Sequence, residues 1–216
     1  MPTTIQYNLV DAFNIKPFSG NAAAVVILDQ ATQEKFERKN LYPAISMELN
    51  QPATAFATLK ADSSYDIRWF DGVGGELNLC GHATLAASKI LFGLFNTGNK
   101  YQEVVRKIDY NSGVGPLQAR LLDDGRIELG FPAAGLASLT DSCSPEEVED
   151  IRSILKAALQ DDTVNIMEIQ RGVGKAFDHW LIVKVDSPKT AIKDLSVKHD
   201  KIVSYFPLLI HYGKSF

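Results

Sequence analysis

Ala83-Thr84-Leu85-Ala86-Ala87-Ser88-Lys89-Ile90-Leu91-Phe92-Gly93-Leu94-Phe95 is the stretch on which the fold turns. Only Thr84, Ser88 and Lys89 carry polar side chains, so the segment predicts a helix that is apolar nearly all round. Such a helix is buried nearly all round. Short β-branched or alternating runs on both sides predict strands near 5–13, 23–28, 54–59, 65–70, 102–108, 117–122, 127–131, 164–170 and 180–185. A buried helix among many strands implies an α+β fold, in which a curved mixed sheet wraps around a central helix.

Two further helices are expected. Ser144-Pro145-Glu146-Glu147 offers an N-cap serine, a proline at the first helical position and a glutamate closing a capping box. Val148, Ile151, Leu155 and Ala158 then line one apolar stripe. A helix near Pro43 to Asn50 is expected to lie outside the sheet. Asp123-Asp124-Gly125 and Asn111-Ser112-Gly113 carry turn chemistry at hairpin distance, which predicts antiparallel pairs. The turn Ser112-Gly113-Val114-Gly115 before Pro116 is the nearest feature to a boundary, giving expected domains of 1–113 and 114–216.

Composition excludes several classes. The chain has 216 residues, 45% of them hydrophobic and 22% charged, enough for a sizeable core. Its formal charge of −4 comes with lysines and arginines scattered along the chain, so no nucleic-acid interface is expected. The N-terminal residues show no signal-peptide pattern and no apolar run reaches membrane-spanning length, so a cytosolic protein without membrane contact is expected. Cys80 and Cys143 have no CxxC spacing, and His179, His199 and His211 share no ligand spacing, so neither a disulfide framework nor a metal site is expected. The absence of a dinucleotide fingerprint, a P-loop and a GxSxG elbow likewise predicts a protein without nucleotide cofactors.

Chemistry concentrates at Leu79-Cys80-Gly81-His82-Ala83-Thr84, where a turn feeds the buried helix. The first amides of that helix have no intrahelical partner, and a buried helix start favours an anion or another acceptor. Gly81 allows a ligand close to the backbone, and His82 titrates near neutrality. One reading is a carboxylate-binding, proton-handling site. The other is a helix capped by its own His82, with Thr84 satisfying the remaining amides. Phe18-Ser19-Gly20-Asn21 supplies a second tight turn. Gly72-Val73-Gly74-Gly75 is expected to be a strand connection, and Arg171-Gly172-Val173-Gly174-Lys175 a hairpin loop. Cys143 precedes the Ser144 cap without an accompanying base.

Val10-Asp11-Ala12-Phe13 through Pro17-Phe18-Ser19-Gly20-Asn21-Ala22-Ala23-Ala24-Val25 resembles the N-terminal signature of the phenazine-biosynthesis PhzF-like isomerases, with Ala22 where a proline is usual. Ile67-Arg68-Trp69-Phe70, followed by Glu76 through Ala86, resembles that family's second signature. The likeness continues more loosely through Gly130-Phe131-Pro132-Ala133 to about Leu195.

This resemblance implies a diaminopimelate-epimerase-like fold of two similar domains and cofactor-independent proton transfer on a small carboxylic acid. It implies substrate-binding roles for Gly20, Asn21, Gly81, Ala83 and Thr84, and a catalytic role for His82. The family's glutamate, in a segment resembling NLSETAF, falls on Ala53 of Asn50-Gln51-Pro52-Ala53-Thr54-Ala55-Phe56, and a methyl group cannot carry a proton. Glu48 is a conceivable substitute, although it is expected on the preceding helix. The DPVTGSA-like loop of the family finds no counterpart in Ser204 to Phe216, which leaves the second domain incomplete and raises the expectation of a truncated or alternatively spliced product. Three functions stay open: a PhzF-like isomerase, active or degenerate; a non-catalytic carboxylate-binding or interaction protein; and a cysteine-dependent racemase using Cys80. A homodimer is an open expectation, since exposed sheet edges favour association.

Overall fold

The computed structural model describes residues 4–14, 16, 18–97, 104–159, 161, 163–174, 177, 180–186 and 197–198. The final residues 204–216, His179, His199 and His211 lie outside them. The chain divides into two compact units, Met1–Pro132 and Ala133–Phe216. The Ser112–Gly115 turn is therefore not a boundary. It joins two antiparallel strands whose ladder holds both inside the first unit, and the chain leaves that unit only after Pro132.

The first unit is built from β1 (Asn8–Ala12), β2 (Asn21–Leu28), α1 (Gln30–Lys39), α2 (Leu41–Leu49), β3 (Thr54–Leu59), β4 (Tyr65–Phe70), β5 (Glu76–Leu77), α3 (Gly81–Asn96), β6 (Lys107–Ser112), β7 (Gly115–Leu121) and β8 (Ile127–Gly130). The strands form one mixed sheet in the order β1-β2-β3-β4-β6-β7-β8, with β5 added to β4. The β2–β3 and β4–β6 pairs are parallel and the others antiparallel. Helix α3 touches β1, β2 and β3 at one end of this path and β7 and β8 at the other, so the sheet curls around it.

The period of two along each strand sorts side chains between two faces. On the inner face, Ala23, Val25, Ala53, Ala55, Ala57, Ile67 and Trp69 pack with Ala83, Ala86, Ala87 and Leu91 of α3. On the outer face, Val26, Leu28, Phe56 and Phe70 meet Phe36 of α1 and Tyr42 of α2. Those aromatics interlock: Tyr42 stacks on Phe70 with centroids 5.4 Å apart, and Phe56 meets Tyr42 edge-on at 4.9 Å. Arg68 lies 4.5 Å from the Tyr42 ring centre and forks onto Glu76 at 2.7 and 2.8 Å, pinning β5 to β4. Burial of Phe36, Phe56 and Phe70 stabilises this layer by roughly 1.5–3 kcal/mol per side chain. The outer face of β6–β8 is uncovered and carries charge pairs instead, Lys107 with Asp109 and Arg120 with Glu128.

Buried hydroxyls run beside α3. Thr84 Oγ1 donates to the Cys80 carbonyl at 2.6 Å, Ser88 Oγ donates to the Thr84 carbonyl at 2.8 Å, and Ser88 Oγ pairs with Tyr110 at 2.9 Å. These bonds satisfy polar groups that an apolar core would otherwise strand.

The second unit holds β9 (Gly135–Ser138), a 3-10 turn (Leu139–Asp141), α4 (Pro145–Leu159), β10 (Asn165–Val173) and β11 (Leu181–Asp186). Its sheet runs β11-β10-β9, and α4 buries Ile151, Leu155 and Leu159 with Ile166, Ile169 and Leu181. The capping box forms: Ser144 N donates to Glu147 at 2.7 Å, and Glu147 N donates back to Ser144 Oγ at 3.3 Å. Arg171 to Val173 continue β10 instead of forming a loop, because Gly172 N donates to the Trp180 carbonyl at 2.9 Å and extends the ladder. No helix among the described residues is long and apolar enough to cross a membrane.

Candidate functional site at the start of the central helix

Three glycine-containing turns expose backbone amides, and two of them are already occupied by a carboxylate of the chain. In the turn after β4, Asp71 Oδ1 accepts from Val73 N at 3.0 Å and Gly75 N at 2.7 Å. Gly74, at φ +85°, packs its Cα side against Pro43 and Met47. In the turn between β1 and β2, Asp11 Oδ2 accepts from Asn14 Nδ2 at 2.7 Å and from Gly20 N at 3.3 Å. The Asn14 amide, with the Gly20, Phe18 and Ser19 amides behind it, holds the Asp11 carboxyl below the usual carboxylate range. A β-carbon on Gly20 would run into the Ala12 carbonyl, so glycine is required there by close approach. Asn21 opens β2 opposite Ala12 with its side chain exposed.

The start of α3 differs. No acidic residue lies in its first turn, and the N-cap Cys80 makes no side-chain capping bond. Thr84 N donates to the Cys80 carbonyl at 3.1 Å, and the Ala83 amide faces the Cys80 sulfur. Phe131 borders the turn: a β-carbon on Gly81 would come within 3.7 Å of its ring. Ala83 and Thr84 are buried, and Thr84 spends its hydroxyl on the Cys80 carbonyl. Thr84 thereby stabilises the turn itself.

His82 is half-buried. Its Nδ1 lies 3.4 Å from Cys80 Sγ, and its Nε2 is buried without a hydrogen-bond partner among the described residues. Burial pushes the imidazole below its ordinary value, opposed in part by the Ala22 backbone, so the ring is neutral at pH 7. Burial also pushes the Cys80 thiol up to about 11, and the Ala83 amide opposes that only weakly. Cys80 is therefore a thiol.

Ala53 is fully buried immediately before β3, in the same apolar cluster as Cys80 and Ala83, and its carbonyl accepts from Ala24 N at 3.0 Å. Glu48 is exposed on α2, and α2 packs on the opposite face of the sheet from α3, so it does not join Ala53, Cys80 and His82. Cys143 stands in the second unit beside Ser142, and among the described residues no group of three or more His, Cys, Asp or Glu side chains could hold a metal ion. Sequence reading passed over Phe131 and the two turn-filling aspartates. Asp71 could have been found as an Asx residue just ahead of a glycine turn, whereas Asp11 accepts from Gly20 nine residues downstream and nothing local announces that role or that of Phe131.

A family model described as phenazine biosynthesis-like protein matches residues 10–213. The chain belongs to the phenazine biosynthesis-like family. The phenazine biosynthesis-like domain-containing protein of Rattus norvegicus is 32% identical over 163 residues, covering 72% of this chain and 50% of that protein. An uncharacterized isomerase of Pseudomonas aeruginosa is 36% identical over 129 residues, covering 60% of this chain and 44% of that protein. The chain thus spans about half the length of the curated relatives it matches. Among solved structures, a PhzF-family phenazine biosynthesis protein of Enterococcus faecalis superposes with a TM-score of 0.58 at 27% identity, over 90% of this chain and 62% of that one. A predicted epimerase of Pseudomonas aeruginosa superposes at 0.62 with 18% identity over 95% of this chain and 68% of that one, which concerns the fold alone. The sheet curled around α3 is the epimerase-like fold expected of this family.

Proposed function

We propose that this chain carries a PhzF-like site that binds the carboxylate of a small acid at the α3 N-terminus, with proton transfer weakened by Ala53. The observation that carries this is the contrast among the three amide-bearing turns. Asp11 and Asp71 fill two of them, while the α3 start has no acidic residue in its first turn and carries His82, whose buried Nε2 has no hydrogen-bond partner among the described residues. A neutral His82 can donate one hydrogen bond to a carboxylate or carbonyl oxygen. The helix start adds about 0.3–1 kcal/mol of favourable interaction with an anion. Gly20 and Asn21 belong to the same proposed pocket, through the Ala22 backbone beside the His82 ring.

A full family site would need a proton carrier at position 53, where a buried methyl group stands. Losing one general acid/base costs about 10²- to 10⁴-fold in rate. That favours a degenerate isomerase or a carboxylate-binding protein over an efficient enzyme, and both share the pocket described. A racemase using Cys80 as its base is disfavoured by a thiol held at about 11. Cytosolic, cofactor-free action and a homodimeric assembly complete this proposal.

Two measurements test it. Titrating the chain with propionate should show saturable binding that His82→Ala removes while the fold persists. Incubation of small α-substituted acids in deuterated water should give near-background C–H exchange with the unmodified chain and faster exchange with Ala53→Glu. Propionate affinity unchanged by His82→Ala would overturn the site, and exchange by the unmodified chain as fast as by Ala53→Glu would overturn the role of residue 53.

A further inference from the structure

His82 can donate to a carboxylate through Nε2 only if its proton sits on that nitrogen, and the neighbour of Nδ1 decides this. That neighbour is the Cys80 sulfur, 3.4 Å away and almost wholly buried at the helix N-cap position. We propose that Cys80 is a positioning residue: its S–H donates to His82 Nδ1 and holds the ring as the Nε2–H tautomer. This deepens the carboxylate-site proposal and rests on it for its functional meaning, although the tautomer itself does not.

Two observations point the same way. A thiol can act as a weak donor and sulfur is a weak acceptor, so a sulfur that keeps its proton is better placed to give a hydrogen bond to Nδ1 than to receive one. Burial keeps that proton on the sulfur. With Nδ1 accepting from the thiol, a neutral imidazole carries its single proton on Nε2. Cys80 thus acts through His82, without forming or breaking a bond itself.

Long-range proton–nitrogen correlation spectra of the full chain, labelled on histidine nitrogens and without ligand, read the tautomer directly. The chain has 4 histidines, and the signal lost in His82→Gln assigns the relevant one. The unmodified chain should show His82 protonated at Nε2 and bare at Nδ1. Cys80→Ser, which keeps a short donor, should preserve that pattern, whereas Cys80→Ala should lower the tautomer ratio about fivefold, the equivalent of one lost neutral hydrogen bond. A proton on Nδ1 in the unmodified chain would overturn the proposal whatever the variants do, as would a ratio unchanged in Cys80→Ala. Adding propionate to the same samples tests carboxylate binding separately: an unshifted His82 signal there counts against the site while the ligand-free spectra still judge Cys80.

Discussion

Replacing Ser88 by alanine removes the hydroxyl that pairs with Tyr110 at 2.9 Å, in a place where both residues are essentially inaccessible. The Tyr110 hydroxyl then has neither Ser88 nor water. A stranded buried hydroxyl costs about 1–3 kcal/mol, offset by a few tenths from the better helix propensity of alanine. Tyr110→Phe is milder. Ser88 still donates to the Thr84 carbonyl at 2.8 Å, so only one neutral hydrogen bond is lost, about 0.5–1.5 kcal/mol. In the double variant neither group is stranded, so its loss should resemble that of Tyr110→Phe alone and fall about 1 kcal/mol or more short of the sum of the singles. Urea unfolding reads this. The chain has 2 tryptophans, so a Trp180→Phe background leaves Trp69 reporting on the first unit. With a slope of about 1–3 kcal/mol per molar urea, a loss of 1 kcal/mol moves the midpoint by roughly 0.3–1 M. Losses that add to within about 0.5 kcal/mol would refute the buried hydroxyl pair.

Three further outcomes are expected. Because His82 is held below its ordinary value, the unfolded chain takes up that proton first as pH falls; stability present above about pH 6.5 is lost below it, and His82→Gln should flatten the decline of the urea midpoint between about pH 7 and 5. Gly20→Ala should cost about 1–3 kcal/mol in the same assay, since its β-carbon collides with the Ala12 carbonyl and approaches Asp11 Oδ1 to 2.6 Å. Peptide mass spectrometry after brief iodoacetamide treatment near pH 8 should find Cys143 modified well before Cys80, whose thiol is buried and pushed up to about 11; equal labelling would contradict the packing of the α3 start.

Where periodicity and burial agree, the sequence was legible. Strands β3 and β4 occupy the residues expected of them, 54–59 and 65–70, and the apolar run at 83–95 is the core of α3. Helix α1 was missed, because it buries only Phe36 and so leaves no apolar stripe; its one signal is Asp29, whose carboxylate caps Thr32 N at 2.7 Å. Strand β6 begins at Lys107 and runs through Ser112, where turn-forming Asn111 and Ser112 concealed it; Asn111 instead spends its amide on Ser64 at 3.0 Å. Position 53 could be located from the pattern around Phe56, but its complete burial beside Cys80 and Ala83 depends on the parallel pairing of β2 and β3, which no local signal encodes. The lack of an acidic residue in the first turn of α3 stands out only against the two aspartate-filled turns, a comparison that requires the fold.

Alanines are prominent in the core between α3 and the inner sheet face: Ala23, Ala53, Ala55 and Ala57 with Ala83, Ala86 and Ala87, beside Val25, Ile67, Trp69 and Leu91. Alanine has no rotamers to lose or to exchange, so these positions are ordered without side-chain cost and cannot relax by swinging a side chain aside. A methylene added at one of these alanines has no side chain of its own to fold away and must be taken up by neighbours or by a shift of backbone, in the helix whose first turn carries His82.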